Sequence, residues 1–282
     1  MNVDAFISSL SPRIARAEDG FWRSRTIESV SYPESGHDAC ASVELTSYWF
    51  THRNACIVSV LQRFTPDGPV LDVGGGNGIV SLAMNRAGFA SVVLEPGHHG
   101  AHLAHQRGLP VIQATLQDAD VAEGSVPAAG LFDVLEHIED DRGTLGALHR
   151  VIRPGGWLYL TVPAYPWLWS NEDLGAGHAR RYTLGSLTAK LAEAGFSVAY
   201  GTYMFAPLVP PILALRSLPS LFGRVGGLRR PVASDHTLPP GAVGRAIGRL
   251  LERERDRIAA GGTVPFGSSV LVAARREERR GP

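Results

Sequence analysis

The run Val70-Leu71-Asp72-Val73-Gly74-Gly75-Gly76-Asn77-Gly78 constrains this chain more than any other segment. It is an apolar strand that closes on an acidic residue and passes straight into three alternating glycines. Each glycine removes a Cβ where backbone must approach a ligand, so the run builds a nucleotide-sized pocket at a strand-to-helix turn. The dinucleotide fingerprint needs a small residue three positions after the second glycine, and Ile79 stands there instead. Alone, the loop is equally a tight turn that binds nothing. Glu95 narrows the reading. It ends the next apolar run, Ser91-Val92-Val93-Leu94, where an acidic side chain can accept both hydroxyls of a ribose. Apolar strands alternate with helical patterns from Val70 to Phe205, which predicts an α/β fold, a parallel sheet wrapped by helices on both faces.

The 282 residues carry 27 Lys+Arg against 27 Asp+Glu, a formal charge of zero. With the signs interspersed there is no basic footprint for DNA or RNA, and a small-molecule or lipid-like acceptor is expected in place of nucleic acid. The length fits one large α/β domain with an elaboration, or two small domains. The only cysteines are Cys40 and Cys56, without Cys-x-x-Cys or His/Cys spacing, so no metal and a reduced, cytoplasmic setting are expected. His98-His99-x-x-His102 has loosely metal-like spacing, but without neighbouring carboxylates or thiols it reads as a solvated helix end. Residues 1–19 lack the pattern of a signal peptide, and residues 275–282 read as a charged, frayed tail.

The G-x-G-x-G loop with Asp72 ahead of it resembles motif I of class I S-adenosylmethionine (SAM)-dependent methyltransferases. The resemblance implies that Asp72, Gly74, Gly75 and Gly76 hold the methionine end and the ribose region of SAM, and that Glu95 with Pro96 holds the ribose. After the short third strand, 109–113, Thr115 and Leu116 or Asp118 would pass the adenine edge. Phe132 in Leu131-Phe132-Asp133-Val134-Leu135-Glu136-His137-Ile138 would lie at the cofactor's edge. Leu148 to Leu160, with Pro154-Gly155-Gly156, resembles the L-x-P-G-G turn that leads into strand five. The similarity covers roughly residues 50 to 200 and implies a Rossmann-like, seven-stranded sheet whose seventh, antiparallel strand sits beside the sixth. Thr115 stands where many relatives carry an acidic residue. Pro127 stands where relatives often carry aspartate, a position a strand's first residue tolerates.

Strand five is expected at 157–162, a helix at 184–194 closed by Gly195, strand six at 196–203 and strand seven at 269–274. Residues 206–267 therefore interrupt what would otherwise be a short hairpin. The organisation expected is an N-terminal helical lid at 1–55, a SAM-binding core at 56–205, a helical substrate cap at 206–267, and a final strand and tail at 268–282. Within the insertion, apolar residues 207–221 and Phe222 precede Arg224, Arg229 and Arg230. This segment either packs as a cap or makes a peripheral contact with an anionic membrane. Its prolines and Arg216 leave it too short in apolar length to span one. Val243 to Ile258 reads as an amphipathic helix of the same cap.

Glu44-Leu45-Thr46-Ser47-Tyr48-Trp49-Phe50-Thr51-His52-Arg53 resembles the E-x(3)-F-W-F-x(2)-R-N segment of a broad, mostly bacterial subfamily, the type 11/type 23-like methyltransferases. Trp49 and Phe50 would close over the cofactor or simply pack on the sheet. Arg53 would pair with the methionine carboxylate or lie exposed. After strand five, Pro163 to Asp173 and Gly177-His178-Ala179-Arg180-Arg181-Tyr182-Thr183 resemble the same subfamily's V-P-A…L-W-S…D…G-H-x-R-R-Y loop. His178 is the leading candidate base, or a structural histidine tied to Asp173, with His137 second, or a helix-start residue. Tyr165, Trp169 and Tyr182 are candidates for the acceptor's surroundings. Arg180 and Arg181 would hold an acidic acceptor group or fix the loop by pairing with Glu172 or Asp173. Two other classes remain open. A methyltransferase-like scaffold without chemistry is opposed by the intact Asp72, Gly74, Gly76 and Glu95, and a nicotinamide-dependent dehydrogenase by Ile79.

Overall fold

The computed structural model describes residues 2–24, 44–221 and 237–277. Nine strands form one sheet: β1 (Ile14–Arg16), β2 (Trp22–Ser24), β3 (Val70–Val73), β4 (Ser91–Leu94), β5 (Val111–Gln113), β6 (Val126–Phe132), β7 (Ile152–Pro163), β8 (Phe196–Met204) and β9 (Ser269–Arg276). Their order is β1-β2-β5-β4-β3-β6-β7-β9-β8. From β5 to β7 all neighbours run parallel, and β9 inserts antiparallel between β7 and β8. That is the arrangement expected for the last two strands.

Every residue of β3, β4, β5 and β6 is buried, as an apolar strand covered on both faces should be. On one face pack α1 (Val3–Leu10), α5 (Asp141–Val151) and α7 (Leu184–Glu193), through Ile7, Leu10, Leu145, Leu148, Leu187 and Leu191 onto Leu71, Leu131 and Leu160. On the other pack α2 (Tyr48–Arg63), α3 (Ile79–Arg86) and α8 (Ala242–Ala259), through Ile57, Leu61, Met84 and Leu251 onto Val70, Ala128 and Tyr159, and α4 (His98–Gln106), through Ala101 and Ala104 onto Val93 and Val111. Successive β3 residues thus serve opposite layers, which puts Asp72 on the α2/α3 side.

The sheet has nine strands where seven were expected. Residues 3–24 add β1 and β2, with β2 pairing parallel to β5, so the segment read as a helical lid begins as an extension of the sheet. Two three-residue strands carry too little alternation to register as strands in sequence. They hold their place because α1 buries Phe6, Ile7 and Leu10 against the same core. β7 starts at Ile152, before the expected Trp157. Its pairing with β6 breaks register between Val126 and Ala128, where Pro127 cannot donate to the ladder.

Of the insertion, 206–221 forms short helical turns and α8 lies along α2. Glu254 of α8 is buried. It accepts from the Phe205 and Ala206 N–H groups at 2.5 and 2.8 Å and meets His52 Nε2 of α2 at 2.8 Å. Among the described residues no helix is long and apolar enough to cross a membrane. Cys40, Phe222, Arg224, Arg229, Arg230 and residues 278–282 lie outside the described residues.

Candidate functional site

The turn after β3 is built as its glycines require. Gly74, Gly76 and Gly78 have φ of 68°, 52° and 73°. A Cβ on Gly74 would lie 2.9 Å from the Val134 side chain, and one on Gly75 would lie 2.9 Å from the Asp72 carboxylate. Gly78 then opens α3. The Glu95 carboxylate accepts the Gly76 N–H at 2.9 Å and the Gly97 N–H at 2.7 Å, so one side chain joins the loops after β3 and β4. Burial raises its pKa against the pull of those two N–H groups. Asp72 accepts from Ser81 Oγ of α3 at 2.7 Å, and its burial pushes it up to about 6 although Ser81 and Arg53 oppose the shift. Pro96, between Glu95 and Gly97 in the loop after β4, is half-buried.

A latch closes the outside of this turn. Asn77 Nδ2 donates to Glu44 at 3.1 Å, and Arg107 donates to the Asn77 carbonyl at 2.5 Å and to Glu44 at 2.9 Å. Glu44 was visible only as the first letter of the Glu44–Arg53 segment. Arg107 carried no signal.

Ser47 caps α2, accepting from Trp49 N at 3.1 Å, and so fixes which residues face the sheet's carboxyl edge. Arg53 is buried and donates to Asp133 at 2.5 Å and to Asn54 at 3.2 Å. Its guanidinium lies 4.8 Å from the Trp49 ring and 5.1 Å from the Phe50 ring. Trp49 stacks on Phe205, which follows β8, with centroids 5.4 Å apart, and Phe50 is buried. Both aromatics pack against protein neighbours at this edge, and Arg53 is not exposed. Thr115 closes a local turn with Asp118, donating to its carboxylate at 2.7 Å and accepting its N–H at 3.0 Å. Leu116 and Phe132 are buried.

At the carboxyl ends of β6 and β7 the structure joins residues far apart in sequence. Glu136 and His137 lie in a 3-10 turn just after β6, and His178 follows the short helix α6 (Asn171–Ala176) beyond β7. The two imidazoles meet edge to face, centroids 4.8 Å apart. Burial, then His178, lowers the pKa of His137. His178 Nδ1 bonds Asp173 at 2.8 Å, and Arg181 forks the same carboxylate at 2.7 and 3.0 Å. Burial opposes ionisation of Asp173, yet those partners hold it down at about 2. Arg180 pairs with Asp141 at 2.8 Å, and Tyr182 is buried with its hydroxyl 3.0 Å from Asp141. Arg181 thus pairs with Asp173 and fixes the loop, whereas Arg180 meets neither Glu172 nor Asp173 but Asp141 of α5, and Tyr182 faces the core. Tyr165 stacks between Trp167 and Tyr203 at 5.0 Å each, while Trp169 is half-buried.

Three non-glycine residues have positive φ at this edge: Asp133 (55°), Tyr165 (57°) and Phe205 (62°), immediately or two residues after β6, β7 and β8. Such backbone costs energy and persists where the surroundings enforce it, commonly beside binding sites.

Residues 49–200 match the family model of the methyltransferase domain, type 23, which is more than half of the chain. The chain belongs to the SAM-dependent methyltransferases. It is 33% identical over 129 residues to a methyltransferase of Mycobacterium sp. strain JLS, covering 42% of this chain and 51% of that protein. It is 30% identical over 100 residues to the ubiquinone biosynthesis O-methyltransferase of Bordetella avium, covering 33% and 42%. The methyltransferase chain thus spans about half the length of the curated relatives it matches. In fold it is similar to a SAM-dependent methyltransferase of Thermotoga maritima, at TM-score 0.53 and 15% identity over 87% of this chain and all of that one.

The residues of this methyltransferase fit SAM. A Cβ at Gly74 or Gly75 would strike Val134 or Asp72, so the turn that carries Asp72 keeps its shape only with glycine, and the Glu95 carboxylate fixed by Gly76 and Gly97 retains lone pairs for a diol. Asp133, Glu136 and Asp173 were not singled out as site residues. None stands in a glycine loop, Asp173 was named only as a partner for His178 or an arginine, and the adjacency of β6 and β7 brings the three to one edge.

Proposed function

We propose that this protein transfers a methyl group from SAM to a hydroxyl-bearing small-molecule or lipid-like acceptor. The observation that carries the reading is the His137–His178 pair, with rings 4.8 Å apart at the carboxyl edge beside the glycine loop's neighbouring strands. An acceptor hydroxyl must lose a proton as it reacts, whereas a neutral amine need not, and two imidazoles are suited to take it.

Bound SAM supplies an electrophilic methyl group on a sulfonium centre. Glu95 would hold the ribose hydroxyls, Asp72 and the Gly74–Gly76 backbone the methionine end, and Arg53 its carboxylate through the donor capacity not used on Asp133 and Asn54. Thr115, Leu116 and Asp118 would border the adenine. Asp173 accepts from His178 Nδ1, which fixes the ring and leaves Nε2 to accept the acceptor's proton. Tyr165 and Trp169 would give the acceptor an apolar wall, under a cap to which residues 206–221 and α8 contribute. Arg180, Arg181 and Tyr182 would shape that wall by holding its loop.

Calorimetry with SAM and S-adenosylhomocysteine tests the cofactor site. Transfer of labelled methyl to matched hydroxyl and amine acceptors then tests the chemistry. Hydroxyl products are expected, with kcat reduced in His178→Gln and KM for SAM unchanged. Amine products only, or no change in His178→Gln, would defeat the reading.

A further inference from the structure

Glu136 is 1% exposed, and its Oε2 has no hydrogen-bond partner among the described residues. An orphaned carboxylate oxygen is costly to bury, and it needs a cation or a proton. Around it stand the two histidines. One donor atom from each of Glu136, His137 and His178 lies within 4.8 Å of the others. Asp173 bonds His178 Nδ1 at 2.8 Å, the arrangement by which a carboxylate outside the coordination sphere orients a ligating imidazole. His137 is likewise held, by the Gly177 backbone. Arg53 pairs with Asp133 and Arg181 with Asp173; both favour the charged form of Glu136 across space, but neither donates a hydrogen bond to its Oε2.

We infer that Glu136, His137 and His178 form a binding site for a first-row divalent cation, with open positions for oxygen atoms of the acceptor. Two neutral imidazoles and one carboxylate on one side of an ion suit Mn²⁺, Fe²⁺, Co²⁺ or Zn²⁺ better than Ca²⁺ or Mg²⁺, which favour all-oxygen sets. Bond lengths near 2.1 Å put donors about 3.3 Å apart, so modest side-chain rotations must draw the triad in from its present spacing. The cation would answer the unpaired Glu136 oxygen and seat the acceptor hydroxyl, in which case the histidines act as ligands and the cation makes that hydroxyl acidic. The inference rests on reading this edge as the acceptor's side of the site.

Chelator-stripped protein should be titrated with MnCl₂, followed by electron paramagnetic resonance, and with ZnCl₂ by calorimetry, each with and without S-adenosylhomocysteine. One saturable site per chain is expected. Glu136→Gln and His178→Gln should each weaken it at least about tenfold while S-adenosylhomocysteine affinity and cooperative melting are retained. Absence of saturable binding of either ion, or equal affinity in both folded variants, would overturn the site. S-adenosylhomocysteine binding without cation binding sinks the cation site alone. Cation binding without S-adenosylhomocysteine binding sinks the cofactor reading alone.

Discussion

Asp72 is a carboxylate held where ionisation is unfavourable. Its burial lifts it from 3.8 to about 6, so the folded protein binds this proton more tightly than the unfolded chain. Stability from this group is complete below the unfolded pKa and is lost as pH rises through 6, leaving a cost of about 3 kcal/mol near pH 7. Asp72→Asn has no proton to lose. It should melt higher than the wild type at pH 7 to 8, with the gap closing toward pH 4, and should bind SAM at least about tenfold more weakly. Scanning calorimetry across pH checks the first part, and a gap independent of pH would refute it. Gly75 offers a second test, since its φ is unexceptional and only space matters. A Cβ there meets the Asp72 carboxylate at 2.9 Å and Val93 at 3.1 Å. Gly75→Ala should therefore fold, but displace that carboxylate and weaken SAM about tenfold or more in calorimetry. Gly74 to Gly78 and Glu95 were legible because each residue type there answers a local demand. Asp133, Glu136 and Asp173 were not. Asp133 meets Arg53 80 positions away, Glu136 meets His178 42 positions away and Asp173 meets residues 5 and 8 positions away, and only Asp173 had been paired with a partner in advance.

Among the elements, α8 packs on the sheet side through Leu251 and Ile258 and is hydrogen-bonded to β8 and α2 through Glu254. Glu254 satisfies two backbone N–H groups at the end of β8 and one imidazole of α2. Glu254→Ala would leave these buried donors unpaired and should cost about 3 kcal/mol, with Glu254→Gln costing less because its amide oxygen can still accept. Chemical denaturation measures both, and equal losses would argue against the hydrogen-bonding account. The buried parallel strands and α8 itself were readable from their periodicity, and the helix at 184–194 from its Gly195 stop, where φ is 90°. The long β7 was only partly readable. Its first residues include Pro154, Gly155 and Gly156, which sequence reading treats as a turn, yet they continue in the sheet past a bulge.

For the whole molecule, β1 and β2 cover what would be an open edge at β5. Removing residues 1–24 deletes no residue proposed to touch SAM, but it uncovers the β5 ladder and the apolar floor under Phe6, Ile7 and Leu10. The truncated protein should melt lower and self-associate in light scattering, while any monomer remaining binds S-adenosylhomocysteine. A monodisperse truncation with unchanged melting would show that the edge needs no cover.

The position of β9 bears on how the molecule is made. A ribosome delivers β7 and β8 well before residues 269–276, the strand that must lie between them. Until that strand is made, β7 lacks one of its two neighbours and β8 has no strand to pair with. The unpaired edge of β7 then stays open to another chain's strand until β9 closes it and brings β8 into the sheet.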